Sequence, residues 1–232
     1  MTDTHVALPG TPVVQQIAGS PGSWVISPLK TALFSGGIVN AASLTADIAP
    51  GGIVSIFGAG LGASSVTVNG ESAGILAALP FQINAQIPFD IPSGTATVAV
   101  ASSAGSATAE VAISSVAPEI FTIASNQAAI TNQDSSLNTT SNPASRGSSI
   151  VIYGTGFGAV GSSNGLSPVK ISLTVVIGGT QLIPAFAGLT PGAIGLYQAN
   201  VALPSTLAPG LSLPLYLKQG AATSGAVSVA TQ

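Results

Sequence analysis

The chain has 232 residues, enough for one large or two ordinary domains with real apolar cores. Only 5% of its residues are charged while 46% are hydrophobic, against about 25% charged in an average soluble protein, a balance that excludes charge-driven disorder. The net charge is −3, and the four basic residues Lys30, Arg146, Lys170 and Lys218 are scattered, so no basic patch offers itself to nucleic acid or anionic lipid.

Residues 1–34 hold the only histidine, His5, and the only tryptophan, Trp24, and read as a linker or the remnant of a preceding segment, with Trp24 packing on the first domain. The opening MTDTHVALPG lacks the basic-then-apolar plan of a signal peptide, so export would imply a start upstream of residue 1. Residues 53–62 (IVSIFGAGLG) predict a strand closed by a glycine turn, and Val68-Asn69-Gly70 a strand end and turn. Phe81, Ile83, Ala85 and Ile87 then alternate with Gln82, Asn84 and Gln86, the period of a half-buried strand. Residues 95–101 and 108–113 alternate likewise around Ser102-Ser103-Ala104-Gly105, a hairpin connection. Residues 117–123 (APEIFTI) open the second half as its first strand, and the polar run 126–146 follows as a long hairpin or loop. Strands are further expected at 149–158, at 197–204, along Leu211, Leu213, Leu215 and Leu217, and around Val227 and Val229. Pro214 interrupts the leucine strand and is expected at a sheet edge or a bulge. No stretch shows sustained helical periodicity. The longest apolar run, 182–197, is broken by Pro184 and Pro191, so no helical membrane span is expected.

The two halves repeat each other. IVSIFGAGLG at 53–62 matches SIVIYGTGFG at 149–158, an offset of 96 (149 − 53); FQINAQIP at 81–88 matches YQANVALP at 197–204, an offset of 116 (197 − 81). Between them Val68-Asn69-Gly70 answers Ile177-Gly178-Gly179, so block order is kept and the offset grows through insertions in the second half. Short strands with Gly, Pro and Asn turns and no helices indicate an all-β chain of two tandem β-sandwiches, placed at 35–115 and 116–232.

Several residue runs carry a resemblance: APGGIVSIFGAGLG, VTVNG, Val39-Asn40-Ala41-Ala42-Ser43, Asn132-Gln133-Asp134 and Gly195-Leu196-Tyr197-Gln198-Ala199-Asn200. Residues 38–232 resemble a paired C-terminal module of large secreted acidobacterial proteins, built from immunoglobulin-like domains of the IPT/TIG type (E-set-like). The resemblance implies an extracellular or cell-surface accessory module, and the family is functionally uncharacterised and supplies no catalytic residues.

Residue patterns that could carry chemistry have plainer explanations. Gly58-Ala59-Gly60-Leu61-Gly62-Ala63 fits a dinucleotide-binding fingerprint, but strand-forming residues follow where a helix is needed, and Gly154-Thr155-Gly156-Phe157-Gly158-Ala159 repeats it. Gly58, Gly60, Gly154 and Gly156 therefore read as structural turn glycines, supplying backbone angles that other residues avoid. Gly161-Ser162-Ser163-Asn164-Gly165 fits a nucleophile elbow, yet its only candidate base is His5. The carboxylates Asp47, Glu71, Asp90, Glu110, Glu119 and Asp134 show no paired spacing and read as turn or surface residues. Asn132, Asp134 and Asn138 are the densest oxygen cluster; calcium is weighed there against a turn in which Asn and Asp bond the backbone, and the turn is preferred. Asn138-Thr139-Thr140 is a formal glycosylation sequon. Cysteine is absent, which removes disulfides, zinc–thiolate sites and cysteine nucleophiles.

The pairs Gln82, Asn84 and Gln198, Asn200 sit on the non-core face of equivalent strands. They form either a polar strip for sugar hydroxyls or a structural strip that satisfies loop backbone. Trp24 and Tyr216 are too isolated to make a stacking platform. These readings point to a non-catalytic structural or interaction module without cofactor or metal, a spacer or adhesion-type tail, with a carbohydrate-binding accessory domain as the alternative. Its partner would be a protein or a polysaccharide, and the low charge leaves edge-strand self-association open.

Overall fold

The computed structural model describes residues 30–232 apart from 63, 64 and 125, together with the antiparallel pair Val14–Gln16 and Trp24–Ile26. His5 and the side chain of Trp24 lie outside the described residues. Everything described is strand, turn or loop, and among the described residues no helix is long and apolar enough to cross a membrane.

Two sandwiches follow one another. In the first, one sheet runs Ala32–Asn40, Ile53–Ala59, Gln82–Gln86, Gly74–Leu79, and the facing sheet runs Gly105–Ile113, Gly94–Ser102, Ser65–Val68, Glu71–Ser72. In the second, one sheet runs Glu119–Ile120, Ser149–Thr155, Tyr197–Ala202, Phe186–Leu189, and the facing sheet runs Val227–Thr231, Gly210–Gln219, Leu173–Ile177, Thr180–Leu182. Setting aside the additional segments within 122–132 and 222–223, strand order is the same in both. The first, second, sixth and fifth strands share one sheet; the eighth, seventh, third and fourth share the other. This is the order of an immunoglobulin-like sandwich, and the chain is two of them in tandem.

Alternation builds each core. Val54, Ile56, Ile83 and Ala85 of one sheet face Val66, Val68, Val98 and Val100 of the other, all buried. In the second sandwich Ile150, Ile152, Ala199 and Val201 face Val175, Ile177, Leu215 and Leu217. Branched side chains dominate because they pack well on a pleated surface. The residue 102–105 hairpin closes with Ser102 paired to Gly105 and a nine-residue ladder without register shift.

Three places depart from the pattern read in the sequence. Ser35, the expected start of the first sandwich, falls inside the strand Ala32–Asn40, and Leu33 packs against the core. Pro214 lies inside a central strand rather than at a sheet edge, directly after a register shift between Gly210 and Leu213. Its carbonyl accepts Gly178 N at 2.8 Å, so its nitrogen faces the side where the Leu173–Ile177 ladder has ended and no donor is required. The polar run folds around Asn138, which is fully buried. Its Nδ2 donates to Asn132 Oδ1 and to Ala230 O, both at 2.9 Å, and its Oδ1 accepts Ala230 N at 3.0 Å.

Candidate functional site

Each amide pair is bonded along its own strand. Gln82 Nε2 donates to Asn84 Oδ1 at 2.9 Å, and Gln198 Nε2 donates to Asn200 Oδ1 at 2.9 Å. Neither pair reaches a loop; that task falls to Gln86, whose Nε2 donates to Gly51 O at 3.1 Å. Ser55 adds its hydroxyl to the first pair, donating to Asn84 Oδ1 at 3.0 Å, while Val151 stands across from Asn200 in the second. Each pairing uses one amide proton and one carbonyl, and does not draw on the asparagine NH2 or the glutamine carbonyl.

What flanks the pairs differs. Gln82 lies between Phe57 and Leu79 in cross-strand register, and Asn84 between Ser55 and Ala77. Gln198 lies between Tyr153 and Gly188, and Asn200 between Val151 and Phe186. The Phe186 ring leans over Gly188, where its Cζ would come within 2.7 Å of an added Cβ. Tyr153 and Phe186 thus border the second amide pair from opposite sides, on strands separated by about 10 Å, twice the spacing of neighbouring strands. Both are half-buried, and neither strand position bears a charge. Tyr216, by contrast, stands on the other sheet with Lys218 Nζ 5.8 Å from its ring centroid.

The four turn glycines divide into two kinds. Gly60 and Gly156 have φ of +65° and +77°, the left-handed region that glycine adopts without strain. Gly58 and Gly154 lie within strands and do not need that region. A Cβ there would collide with the carbonyl oxygens of Ala32 and Glu119, which belong to matching first strands. Close approach of backbones, repeated in both halves, explains these two.

The junction between the sandwiches is closed by buried polar groups that the sequence did not reveal. Thr155 Oγ1 accepts Ile53 N at 2.7 Å and donates to Gly195 O at 2.9 Å, all buried. Asn40 Nδ2 bridges Asp47 O at 3.1 Å and Ala117 O at 3.3 Å. Gly51 is wedged against the Phe89 ring and the Tyr197 hydroxyl, with no room for a Cβ, and Phe89 packs on the second core. The Tyr197 hydroxyl donates to Gly158 O at 2.6 Å and its ring tilts on Phe157 at 5.0 Å. Burial pushes this phenol above its ordinary range. Beside the junction, Asp47 and Glu119 line a cleft of about 180 Å³ with Ser114, Pro118 and Thr223. Burial raises the Glu119 carboxyl, the Gly225 N–H it accepts at 3.1 Å lowers it, and the Asp47 charge adds a smaller rise.

The remaining motifs assemble no chemistry among the described residues. The glycine run at 58–62 leads to the strand Ser65–Val68, so no helix N-terminus faces a phosphate there. Residues 161–165 form a turn closed by Ser163 and Leu166, without the strand-to-helix step of an elbow. Asp134 Oδ1 accepts the Ser136 hydroxyl and amide, which hold its carboxyl below the usual range, and Asn132 Oδ1 is taken by Asn138. These oxygens serve turns. Among the described residues no group of three or more His, Cys, Asp or Glu converges as a metal site would require.

No protein-family model matches the chain, and no curated protein is significantly similar to it. Similar solved structures include SGBP-B of the Bacteroides ovatus mixed-linkage glucan utilization locus, in complex with a mixed-linkage heptasaccharide. It is 14% identical with a TM-score of 0.30, covering 88% of this chain and 46% of that one. The BSP domain of a biofilm associated protein is 16% identical with a TM-score of 0.33, covering 87% and 29%. The I9–I11 tandem of titin is 11% identical with a TM-score of 0.25, covering 88% and 66%. The chain spans less than half the length of the first two, and likeness at this level says nothing of function.

Proposed function

We propose that the chain is a non-catalytic structural and interaction module of an extracellular or cell-surface protein, a stiff spacer of two IPT/TIG-type sandwiches. The observation that carries this reading is the junction. Ile53 of the first sandwich, and Thr155 and Gly195 of the second, share one buried hydroxyl, and two facing glycines, Gly52 and Gly156, let the backbones meet. Buried main-chain groups satisfied across an interface cannot be released without leaving them unpaired, so hinge motion is costly. Small-angle scattering is expected to fit one interdomain arrangement, unchanged from low to high salt. Scattering that demands an ensemble of orientations would sink the spacer reading.

A second reading, binding of a neutral polysaccharide, is favoured by one observation: Tyr153 and Phe186 border the Gln198–Asn200 pair, and none of the four positions paired with those amides bears a charge. Aromatic rings stack on sugar rings while amides both donate to and accept from hydroxyls. Saturable pull-down on insoluble glucans, abolished by Gln198→Ala with Asn200→Ala in a protein of unchanged melting temperature, would establish it. Equal retention of variant and parent would dismiss it.

A further inference from the structure

The two sandwiches keep one register on either side of a single excursion. In the second, Ile120 pairs with Gly154 and then Ile130 with Ile152; in the first, Leu33 pairs with Gly58 and then Ile38 with Ile56. The excursion leaves from and returns to the same neighbour. Phe121 N donates to Tyr153 O at 3.1 Å and Tyr153 N to Ala129 O at 3.0 Å, and Gly37 stands against Phe57 and Phe34 at the matching place.

What lies between differs in length and consequence. In the second sandwich Thr122–Ala124 and Gln127–Ala128 join the opposite sheet, where Gln127 pairs in parallel with Ser228 and Ser228 N donates to Asn126 O at 2.8 Å. Ala128 becomes fully buried in the core, and the outer edge of Val227–Thr231 is covered. In the first sandwich only Ser35 and Gly36 fill that interval, too few to cross. The corresponding edge strand, Gly105–Ile113, carries a parallel bridge to Ile48 at its end, as Thr231 does to Ala144. Beyond that bridge its outer edge has no strand partner among the described residues. A groove of about 180 Å³ opens there, with Phe34 and Ile38 on one wall, Ala109 and Val111 on the other, and Ile48 between.

We propose that this groove receives an extended peptide from another protein, laid parallel to Gly105–Ile113 with a small apolar side chain in the groove. The main-chain donors and acceptors of an uncovered edge recruit a strand, and pockets for alternate side chains select it. The chain itself supplies the precedent for the occupant. The segment seated on the equivalent edge of the second sandwich is uncharged and puts an alanine into the core. Among the described residues Glu110 is the one charged residue lining the groove, so an uncharged strand meets no repulsion and an acidic one would. This site is independent of both readings of the sheet face.

The test uses the full chain, labelled with nitrogen-15, and a synthetic peptide of residues 121–131 (FTIASNQAAIT) beside a scrambled peptide of the same composition. The expected result is saturable shifts of amides in 34–38 and 107–113, slowed hydrogen exchange along Gly105–Ile113, and at least tenfold weaker binding of the scrambled peptide. Ala109→Glu, which puts charge into the groove, is expected to abolish the shifts in a protein that melts as the parent does. Should that variant fail to fold, the map on the parent still decides. Absence of shifts at millimolar peptide, shifts elsewhere, or equal response to the scrambled peptide would overturn the proposal. So would sedimentation showing that a second copy of the chain already occupies the groove.

Discussion

Replacing Thr155 by Val removes one hydroxyl and leaves two buried main-chain groups without partners, the Ile53 N–H and the Gly195 carbonyl. The valine methyl fills nearly the same space, so the loss is polar rather than steric. Leaving a buried donor or acceptor unsatisfied costs about 1–3 kcal/mol each, and the pair sums to roughly 2–6 kcal/mol if the junction does not relax. With a urea m-value of about 2 kcal/mol/M for a domain of this size, the midpoint should fall by on the order of 1–3 M. Because the donor belongs to one sandwich and the second acceptor to the other, the variant should also change the shape of the curve. The parent is expected to unfold in one transition by far-ultraviolet circular dichroism, and Thr155→Val in two. Thr155→Ser keeps the oxygen and should stay within about 1 kcal/mol of the parent, the cost of one methyl group. A midpoint moved by less than about 0.2 M, with a single transition retained, would refute the claim that this hydroxyl holds the sandwiches together.

Gly156→Ala should destabilise by about 3 kcal/mol or more, because its φ of +77° is left-handed and a Cβ would strike the Ala117 carbonyl; Gly70→Ala, with φ of +87° and open space around it, should cost only about 1–2 kcal/mol by thermal denaturation. Asn138→Ala strips Ala230 of both its side-chain partners and should cost roughly 2–5 kcal/mol, with faster hydrogen exchange at Ala230 as the local readout. Glu119 has a raised folded pKa, so the folded state holds its proton more tightly than the unfolded chain, and stability should fall as pH rises from the ordinary carboxylate value of 4.5 through the folded value, then level off. Glu119→Gln, which can still accept Gly225 N, should remove that descent and be the more stable protein at neutral pH; an unchanged stability–pH curve would place the carboxyl in water rather than in the cleft.

Local pattern carried the repeat, the alternating strands and the 102–105 hairpin, because period-two burial and turn residues are written in neighbouring positions. The junction was illegible for the opposite reason. Thr155 reads as one more strand residue, and its partners Ile53 and Gly195 stand 102 and 40 positions away. The glycines were legible as necessary but not as to why: Gly58 and Gly154 are fixed by a carbonyl from a strand far earlier in the chain, which no turn rule anticipates. Alternation puts the amide pairs on half-buried strands, yet whether each amide reaches a loop or its neighbour two residues on depends on side-chain geometry alone. The segment Gln127–Ala128 is too short to show any period, and its pairing to Val227–Thr231 is parallel and distant.

The growth of the repeat offset shows where the second sandwich spent its extra residues. First-strand positions Ala32 and Glu119 differ by 87 (119 − 32), the next strands by 96, and the strands with the amide pairs by 116. The first increment includes the excursion that covers Val227–Thr231. The second includes residues 159–170, which cover the other exposed edge: Val169 N donates to Ala187 O at 2.9 Å and Leu189 N to Ser167 O at 3.0 Å. Both insertions close sheet edges. A chain with 5% charged residues has little charge with which to guard its edges, so covering them with its own backbone is the remaining device. The first sandwich lacks both covers, and it leaves the outer edges of Gly74–Leu79 and Gly105–Ile113 without strand partners among the described residues. Gly74–Leu79 is bent by a register shift between Ile75 and Ala77 and exposes Leu76 and Leu79, so it offers self-association only a broken ladder. Gly105–Ile113 keeps an unbroken register throughout and adjoins a groove, which makes it the edge on which an added strand finds both main-chain partners and a place for a side chain.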